Sequence, residues 1–456
     1  MNNIKLLKNQ TYLPTIAPHI IESDKLDHKA LAFWSSTGFF LDEDSFWENV
    51  QYTSIESNSS RWFYNPQNLS LEQSTEAFCN IFETIVEELT QDNNLLLPLS
   101  GGLDSRTLAV ALKRLGKTPA FTYSYRFTGS FAETRYGADI AKAMGWPFQA
   151  YDITPGYLWN KIEWAGQLNQ CYAEFTHVRQ VAVVEEIAQR GDLWLLGHWG
   201  DVLFDDMGVP DNLPFDEQIG VLKRKVLKKG GPELAADLWQ AWGLPGQFET
   251  VLEERLRKMH ARIPIDNANA RIRAFKSMYW ATRWTTTNLI YFQHFHPMAL
   301  PYYDDRMCEF IMQVPEKWLA GRQIQIEYIR RYGGKLAYIP WQDKAPYHLH
   351  NYQHHHTWRH LPYRVAGKAN RLWKAKVLGR PLVQRNWEIQ FLGKANDQQL
   401  RNWLFENPHF DAFVPRSIVQ KYYQRFQTGD QVYWSHPLSM LLTLSVFAKM
   451  HRLGNQ

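Results

Sequence analysis

Apolar residues in the first ninety positions come in short runs broken by polar turns, as in Leu31-Ala32-Phe33-Trp34 and Gly38-Phe39-Phe40-Leu41. This pattern predicts a small strand-containing region, followed by a helix from about Leu71 to Thr90. Between Asn94 and Gly208 the rhythm becomes strand, helix, strand, helix. Leu95 to Leu99 reads as a short buried strand, and Asp104 to Leu115 as a helix that puts Leu108, Leu112 and Leu115 on one face and stops at Gly116. Ala120 to Tyr125 is a second strand, Ala132 to Met144 a helix ended by Gly145, and Phe148 to Asp152 a third strand. A further helix is expected over Thr176 to Arg190, with Val178, Val181, Val184, Ile187 and Ala188 inward, and a fourth strand over Leu193 to Leu196. Parallel strands cannot be joined by hairpins, so the alternation predicts an α/β fold: a parallel twisted sheet with helices on both faces. Ligands then sit beyond the carboxyl ends of the strands. Helix formers dominate from Asn212, and the chain from about Arg271 onward is expected to be mainly helical.

Composition narrows the class. The 456 residues suffice for two or three domains, and 45% hydrophobic with 21% charged residues describes a globular chain rather than a disordered one. A formal net charge of +4 is small for this length and argues against nucleic acid as an obligatory partner. The three cysteines, Cys79, Cys171 and Cys308, show no metal-ligand or redox spacing, which suits a reducing interior. Met1 to Lys8 lacks the apolar core of a signal peptide, and the apolar stretch Pro437 to Ala448 falls short of the ~20 residues that cross a bilayer. A cytoplasmic protein with no membrane partner is therefore expected. One stretch is biased: from His348 to Arg380 histidines give way to arginines and lysines without an acidic residue. His354-His355-His356 has no adjacent carboxylate and reads as a solvated loop rather than a metal site. The basic run that follows reads as an amphipathic surface helix, with docking of an acidic substrate as the alternative.

The candidate chemistry begins at Ser100-Gly101-Gly102-Leu103-Asp104-Ser105, between a predicted buried strand and a helix start. Free backbone N–H groups and the helix dipole make such a place an anion site. Gly101 and Gly102 let the backbone approach phosphate oxygens, and the Ser100 and Ser105 hydroxyls can donate to the same oxygens. Asp104 among phosphates would be repelled unless a cation intervened, which points to Mg²⁺. The plain alternative is a Gly-Gly turn whose Asp and Ser cap the helix.

The string Ser-Gly-Gly-Leu-Asp-Ser resembles the PP-loop of ATP pyrophosphatases, and three later elements extend the resemblance to the synthetase domain of asparagine synthetases. Gly197-His198-Trp199-Gly200-Asp201-Val202-Leu203-Phe204 is similar to that family's Gly-Glu-Gly-x-Asp-Glu-Leu-Phe. Asp201 matches its second magnesium ligand, and Gly197 falls among the nucleotide contacts. His296 to Phe310 resembles the Pro-Phe-Leu-Asp segment, and Trp341-Gln342-Asp343-Lys344-Ala345-Pro346-Tyr347 resembles Arg-x-Lys-x-x-Phe. The resemblance implies a PP-loop ATP-pyrophosphatase fold using ATP and Mg²⁺, with Asp104 and Asp201 on the metal. Lys344 then stabilises the charged transition state, and Tyr123 and Ser124 line the adenine pocket. Glu133 matches an acidic position of the family, although a glutamate at a helix N-terminus explains itself. The resemblance covers Leu71 to Tyr347, with a weaker echo at Trp434 to Met450.

The departures matter as much. Asn2 stands where glutamine-dependent members carry a cysteine, and the segment before about Asn65 is too short for a glutaminase domain. The family's acidic base falls on His198, whose neutral form can take a proton from an amine. Pro297-Met298-Ala299 replaces charged residues that bind aspartate. The expected reaction is adenylation of a carboxylate, on a small molecule or linked to a carrier or polymer, followed by attack of ammonia or an amine, with a separate amidotransferase as one source of ammonia. Beta-lactam synthetases and lasso-peptide cyclases are similar divergences. The rivals are a retired nucleotide-binding or assembly subunit and a PP-loop tRNA-modifying enzyme. The expected organisation is a degenerate N-terminal region over 1–70, the ATP-pyrophosphatase domain over 71–350 and a helical C-terminal extension over 351–456.

Overall fold

The computed structural model describes residues 25–48, 50, 62–130, 133–376 and 382–453, with backbone alone over 370–376. Asn2 and the rest of 1–24 lie outside the described residues, as does Arg380. The centre is a five-stranded parallel sheet in the order β3-β2-β1-β4-β5. The strands are β1 (Leu95–Pro98), β2 (Phe121–Phe127), β3 (Phe148–Ile153), β4 (Leu193–Leu195) and β5 (Met298–Ala299). Their register pairs Leu96 with Phe121 and Trp194, Ser124 with Ala150, and Leu195 with Ala299. Strand order reverses direction on either side of β1, so the crevice between the carboxyl ends of β1 and β4 is the topological switch point where α/β sheets bind ligands.

The helices that flank the sheet form where caps and periodicity direct them. Helix α2 (Leu71–Leu89) opens with a capping box between Ser70 and Gln73 and buries Phe78, Phe82, Ile85 and Val86 on one stripe. Helix α3 (Asp104–Arg114) follows β1. Helix α4 (Thr134–Met144) ends at Gly145, whose φ of +69° suits the left-handed cap that glycine adopts without Cβ strain. The expected α/β architecture and helical C-terminal part are both present.

Three expectations need correction. The region around Leu31 to Trp34 is helix α1 (His28–Thr37), capped by Asp27, and its only strand-like feature among the described residues is an isolated bridge from Leu26 to Trp47. A short all-apolar run has no periodicity to separate a strand from a buried helix, and here both faces of the helix are covered. The expected helix over Thr176 to Arg190 is broken into 3₁₀ turns Phe175–His177 and Arg179–Ala182 and a short helix Val184–Ala188. The buried Glu174 carboxylate captures the Thr176 backbone N–H and hydroxyl, and the β-branched Val178, Val181 and Val183 resist continuous helix. Strand β5 has only two residues and was not expected at all.

Packing crosses the expected domain boundaries. One apolar cluster surrounds the sheet, while a second joins Leu31 and Trp34 of α1 to Leu158, Leu234 and the C-terminal residues Leu438 to Ala448. The helix Gln431–Met450 is buried along nearly its whole length in this second cluster.

Candidate active site

Beyond Pro98 the chain leaves the sheet through Leu99, whose N–H donates to the Tyr123 carbonyl at 2.7 Å, and enters the glycine loop. The loop is held from within. Ser105 Oγ accepts from the Ser100 N–H at 3.0 Å and lies 3.0 Å from Ser100 Oγ, while the Gly102 N–H donates to Ser100 Oγ at 3.3 Å. No side chain caps the start of α3, so its first N–H groups remain available to an anion. Gly101 is required by close packing: a Cβ there would sit 2.6 Å from Gln342 Cβ and 2.9 Å from Tyr136 Cδ2.

That contact also brings in Lys344. The Gln342 N–H donates to the Gly101 carbonyl at 3.0 Å. The buried Arg106 guanidinium donates to the carbonyls of Ile339 at 2.8 Å, Pro340 at 2.9 Å, and Leu336 and Gly101 at 3.3 Å. A strap from Leu336 to Lys344 is thus tied across the loop, and its last 3₁₀ turn, Gln342–Lys344, carries the lysine. Lys344 Nζ lies 3.1 Å from His356 Nε2, so part of the histidine cluster reaches the strap.

Asp104 and the turn after β4 interlock. A Cβ on Gly200 would lie 2.2 Å from Asp104 Oδ1, and one on Gly197 would lie 3.1 Å from Asp104 Cβ. The close fit places the Gly197–Asp201 turn directly against the loop. Trp199 takes a left-handed φ of +80°, a strained conformation for a non-glycine residue, and its indole N–H donates to Ser277 Oγ at 3.2 Å. Asp104 Oδ1 accepts from the Arg322 guanidinium and, at 3.0 Å, from Gln325 Nε2, which also donates to Tyr302 at 2.9 Å. Burial pushes the Asp104 carboxyl up; Arg322 pulls it back, and the nearby charge of Asp201 adds to the rise. Asp201 itself is exposed at the mouth of the crevice.

Two carboxylates in mutual electrostatic reach, in the segments that follow β1 and β4, form an oxygen-only donor set with a clear demand for a cation. Arg322 already meets part of it. No group of three or more His, Cys, Asp or Glu among the described residues could hold a metal by itself. The pair therefore fits Mg²⁺, which binds through one or two carboxylates and completes its shell with phosphate oxygens and water.

Around Asp201 the walls are cationic and aromatic. Lys276 opens a π-helical stretch, Lys276–Thr285, between the helices Ala268–Phe275 and Thr286–Gln293. Its ammonium sits 4.6 Å from the Trp280 ring centroid, and burial pulls its pKa down to about 8 against the attraction of Asp201. His198, next in the chain to Gly197, has its Nδ1 buried and without a partner among the described residues. Burial pulls its pKa down to about 4, with Asp201 resisting and Arg179 assisting. The imidazole is neutral at pH 7, yet at that pKa it is a much weaker proton acceptor than an unperturbed histidine.

The loop residues Ser100 to Ser105 lie against the turn that carries Gly197, His198 and Asp201, and the strap docks Lys344's segment on the same loop. Tyr123 does not present its ring to the crevice: it is fully buried against Trp194 and Tyr125. Ser124, almost buried beside it, is the member of the pair that retains some surface. Glu133 stands just before α4, electrostatically coupled to Arg179. Sequence reasoning passed over Arg322, Gln325, Arg106 and Lys276. The first two approach Asp104 from more than two hundred positions away, and no local pattern marks them.

Among curated proteins the chain has no match. The family model for asparagine synthase matches residues 80–335, more than half of the chain, and no glutaminase family matches. The matched span contains the glycine loop, the Gly197–Asp201 turn and the Arg322 contact, so the chain belongs to the asparagine synthase family of ATP-using, amide-forming synthetases.

Proposed function

We propose that this protein adenylates a carboxylate with ATP and passes the acyl group to ammonia or an amine, releasing AMP and pyrophosphate. The observation that carries this reading is the interlock of the Ser100–Ser105 loop with the Gly197–Asp201 turn, which sets Asp104 against Gly200 at the switch point of the sheet.

The chain's own groups divide the work. The loop N–H groups and the Ser100 and Ser105 hydroxyls bind the departing pyrophosphate, with the α3 N-terminus behind them. Arg322 neutralises Asp104 before nucleotide arrives and turns toward phosphate oxygens afterwards. Asp104 and Asp201 would hold Mg²⁺, which supplies charge neutralisation on the β- and γ-phosphates. Lys344, on the strap anchored by Arg106, places a cation on the reacting α-phosphate side. His198, neutral at pH 7 and only partly exposed, stands beside the incoming nitrogen and orients it. A group with a pKa of about 4 stores no proton at neutral pH, so the nucleophile arrives as the free base and sheds its proton onward to solvent. The carboxylate approaches between His198 and the Lys276–Trp280 wall, and the nitrogen source is free ammonia, a separate amidotransferase or an amine substrate.

Hydroxylamine tests this reading without knowledge of the natural nucleophile. With ATP, Mg²⁺ and a panel of carboxylates, it traps an acyl-adenylate as a hydroxamate with equal release of AMP. Hydroxamate with AMP is the expected result; ADP as the nucleotide product would refute the scheme.

A further inference from the structure

Over its described side chains the helix Leu361–Lys376 packs differently from every other helix discussed above. Residues 361–369 are all exposed. Trp358, in the turn before it, is 80% exposed, Leu361 57% and Val365 62%, values unusual for large apolar side chains on a helix that could have turned them inward. Tyr363, itself 53% exposed, makes the aromatic contacts of the helix, with ring centroids 6.0 Å from Tyr347 and 6.2 Å from His360. At 100° per residue Tyr363 lies about 200° round the helix from Leu361, so the stripe through Leu361 and Val365 is turned away from this anchor. The stripe continues at Ala369, Arg364 and Lys368 run beside it, and no acidic residue occurs between Asp343 and Glu388.

We propose that this helix attaches the protein to an anionic lipid bilayer, lying in the interface with Trp358, Leu361 and Val365 among the acyl chains and Arg364 and Lys368 at the headgroups. A basic polar face beside a narrow apolar one is the arrangement that binds such surfaces. The charge selects an anionic partner, and the shape selects a bilayer: a single projecting helix offers a convex ridge rather than a groove, and a bilayer needs no groove. Arginine and lysine flanking the apolar stripe can cover it with their stems while their charged ends reach the headgroups. No helix among the described residues is long and apolar enough to cross a membrane, so the attachment is to the surface. This proposal departs from the expectation of no membrane partner.

The position has a consequence for the active site. Tyr347, on which the helix is anchored, is hydrogen-bonded through its backbone to Trp341 at 2.8 Å and Lys344 at 3.0 Å. Attachment therefore brings the Lys344 strap close to the lipid surface, where a membrane-borne carboxylate would be presented. The attachment itself stands independently of the proposed reaction.

Flotation of the full chain with vesicles of phosphatidylcholine alone, or with phosphatidylglycerol added, tests it. The protein should float with the anionic vesicles, remain behind with neutral ones, and be released by high salt. Leu361→Glu with Val365→Glu should abolish flotation, and Arg364→Glu with Lys368→Glu should weaken it about tenfold or more at low salt. All four side chains are exposed, and unchanged circular dichroism and Tm would confirm that the variants fold. Failure to float with anionic vesicles, equal flotation with neutral vesicles, or parental flotation by both variants would overturn the proposal. So would binding of a polyglutamate peptide by a chain that ignores vesicles, which would assign the face to an acidic polypeptide.

Discussion

Asp104 carries opposing demands: it is set in a crowded crevice where burial favours its neutral form, yet the proposed reaction needs it as an anion. Arg322 and Gln325 reconcile the two by bonding to the same oxygen. Replacing Arg322 by methionine leaves a carboxylate without its counter-ion in a site where its side chain is only 22% exposed. The expected cost is about 3–5 kcal/mol of stability, read as a lower urea midpoint, and a loss below 1 kcal/mol would show that Arg322 is not the main counter-charge. Gly200→Ala places a methyl 2.2 Å from Asp104 Oδ1 and should lower Mg-ATP affinity at least about tenfold by calorimetry. Parental affinity would mean that the two turns separate easily. The loop and the two aspartates were legible in the sequence because each lies in a contiguous motif. Arg322 was not, because its role exists only once the chain has returned to the loop from the far side of the sheet. His198 was legible as a substitution, but its depressed basicity comes from burial, which no string of residues displays.

Elements were legible where their periodicity was strong and their ends were capped. Helices α2, α3 and α4 lie within a residue or two of their expected bounds. The stretch after Glu174 failed because a buried carboxylate competes for the backbone N–H groups a helix start would use, and α1 failed because a fully buried helix loses its polar stripe. The helix Ala268–Phe275, which leads into the π-helical wall, is fixed by Arg273. Its guanidinium grips Glu316 at 2.6 and 2.7 Å, with both side chains buried. Glu316→Ala strands that guanidinium and should destabilise the fold by about 3–5 kcal/mol in urea unfolding. A cost near zero would show that the wall is held by its aromatic packing alone.

At the scale of the whole molecule, His198, His260 and His436 are held neutral. Burial pulls His198 and His436 down to about 4 and His260 to about 3. Each must bind a proton on unfolding at acidic pH, so their contribution is fully present above the unfolded value near 6.5 and is lost as pH falls toward 4. Asp44, pushed up to about 6 by burial, works in the opposite sense over part of that range, as do Asp104, Asp205 and Glu388, whose carboxyls burial also raises, while His28 and His451, lowered by burial, add to the histidine side. The Tm should therefore fall between pH 7 and pH 5, whereas a Tm that rises on acidification would contradict these environments. At the same scale, the sharing of one core by distant segments was not legible in the sequence. Apolar contacts join α1 to the C-terminal helices, and a linear pattern does not show which distant surfaces share a core. The central claim, reversible adenylation at the Ser100–Ser105 loop, is tested most directly by exchange of radiolabelled pyrophosphate into ATP in the presence of Mg²⁺ and a panel of carboxylates. Carboxylate-dependent exchange that disappears in Asp104→Asn is the predicted result. No exchange with any carboxylate while ATP still binds, or exchange that survives Asp104→Asn, would contradict it.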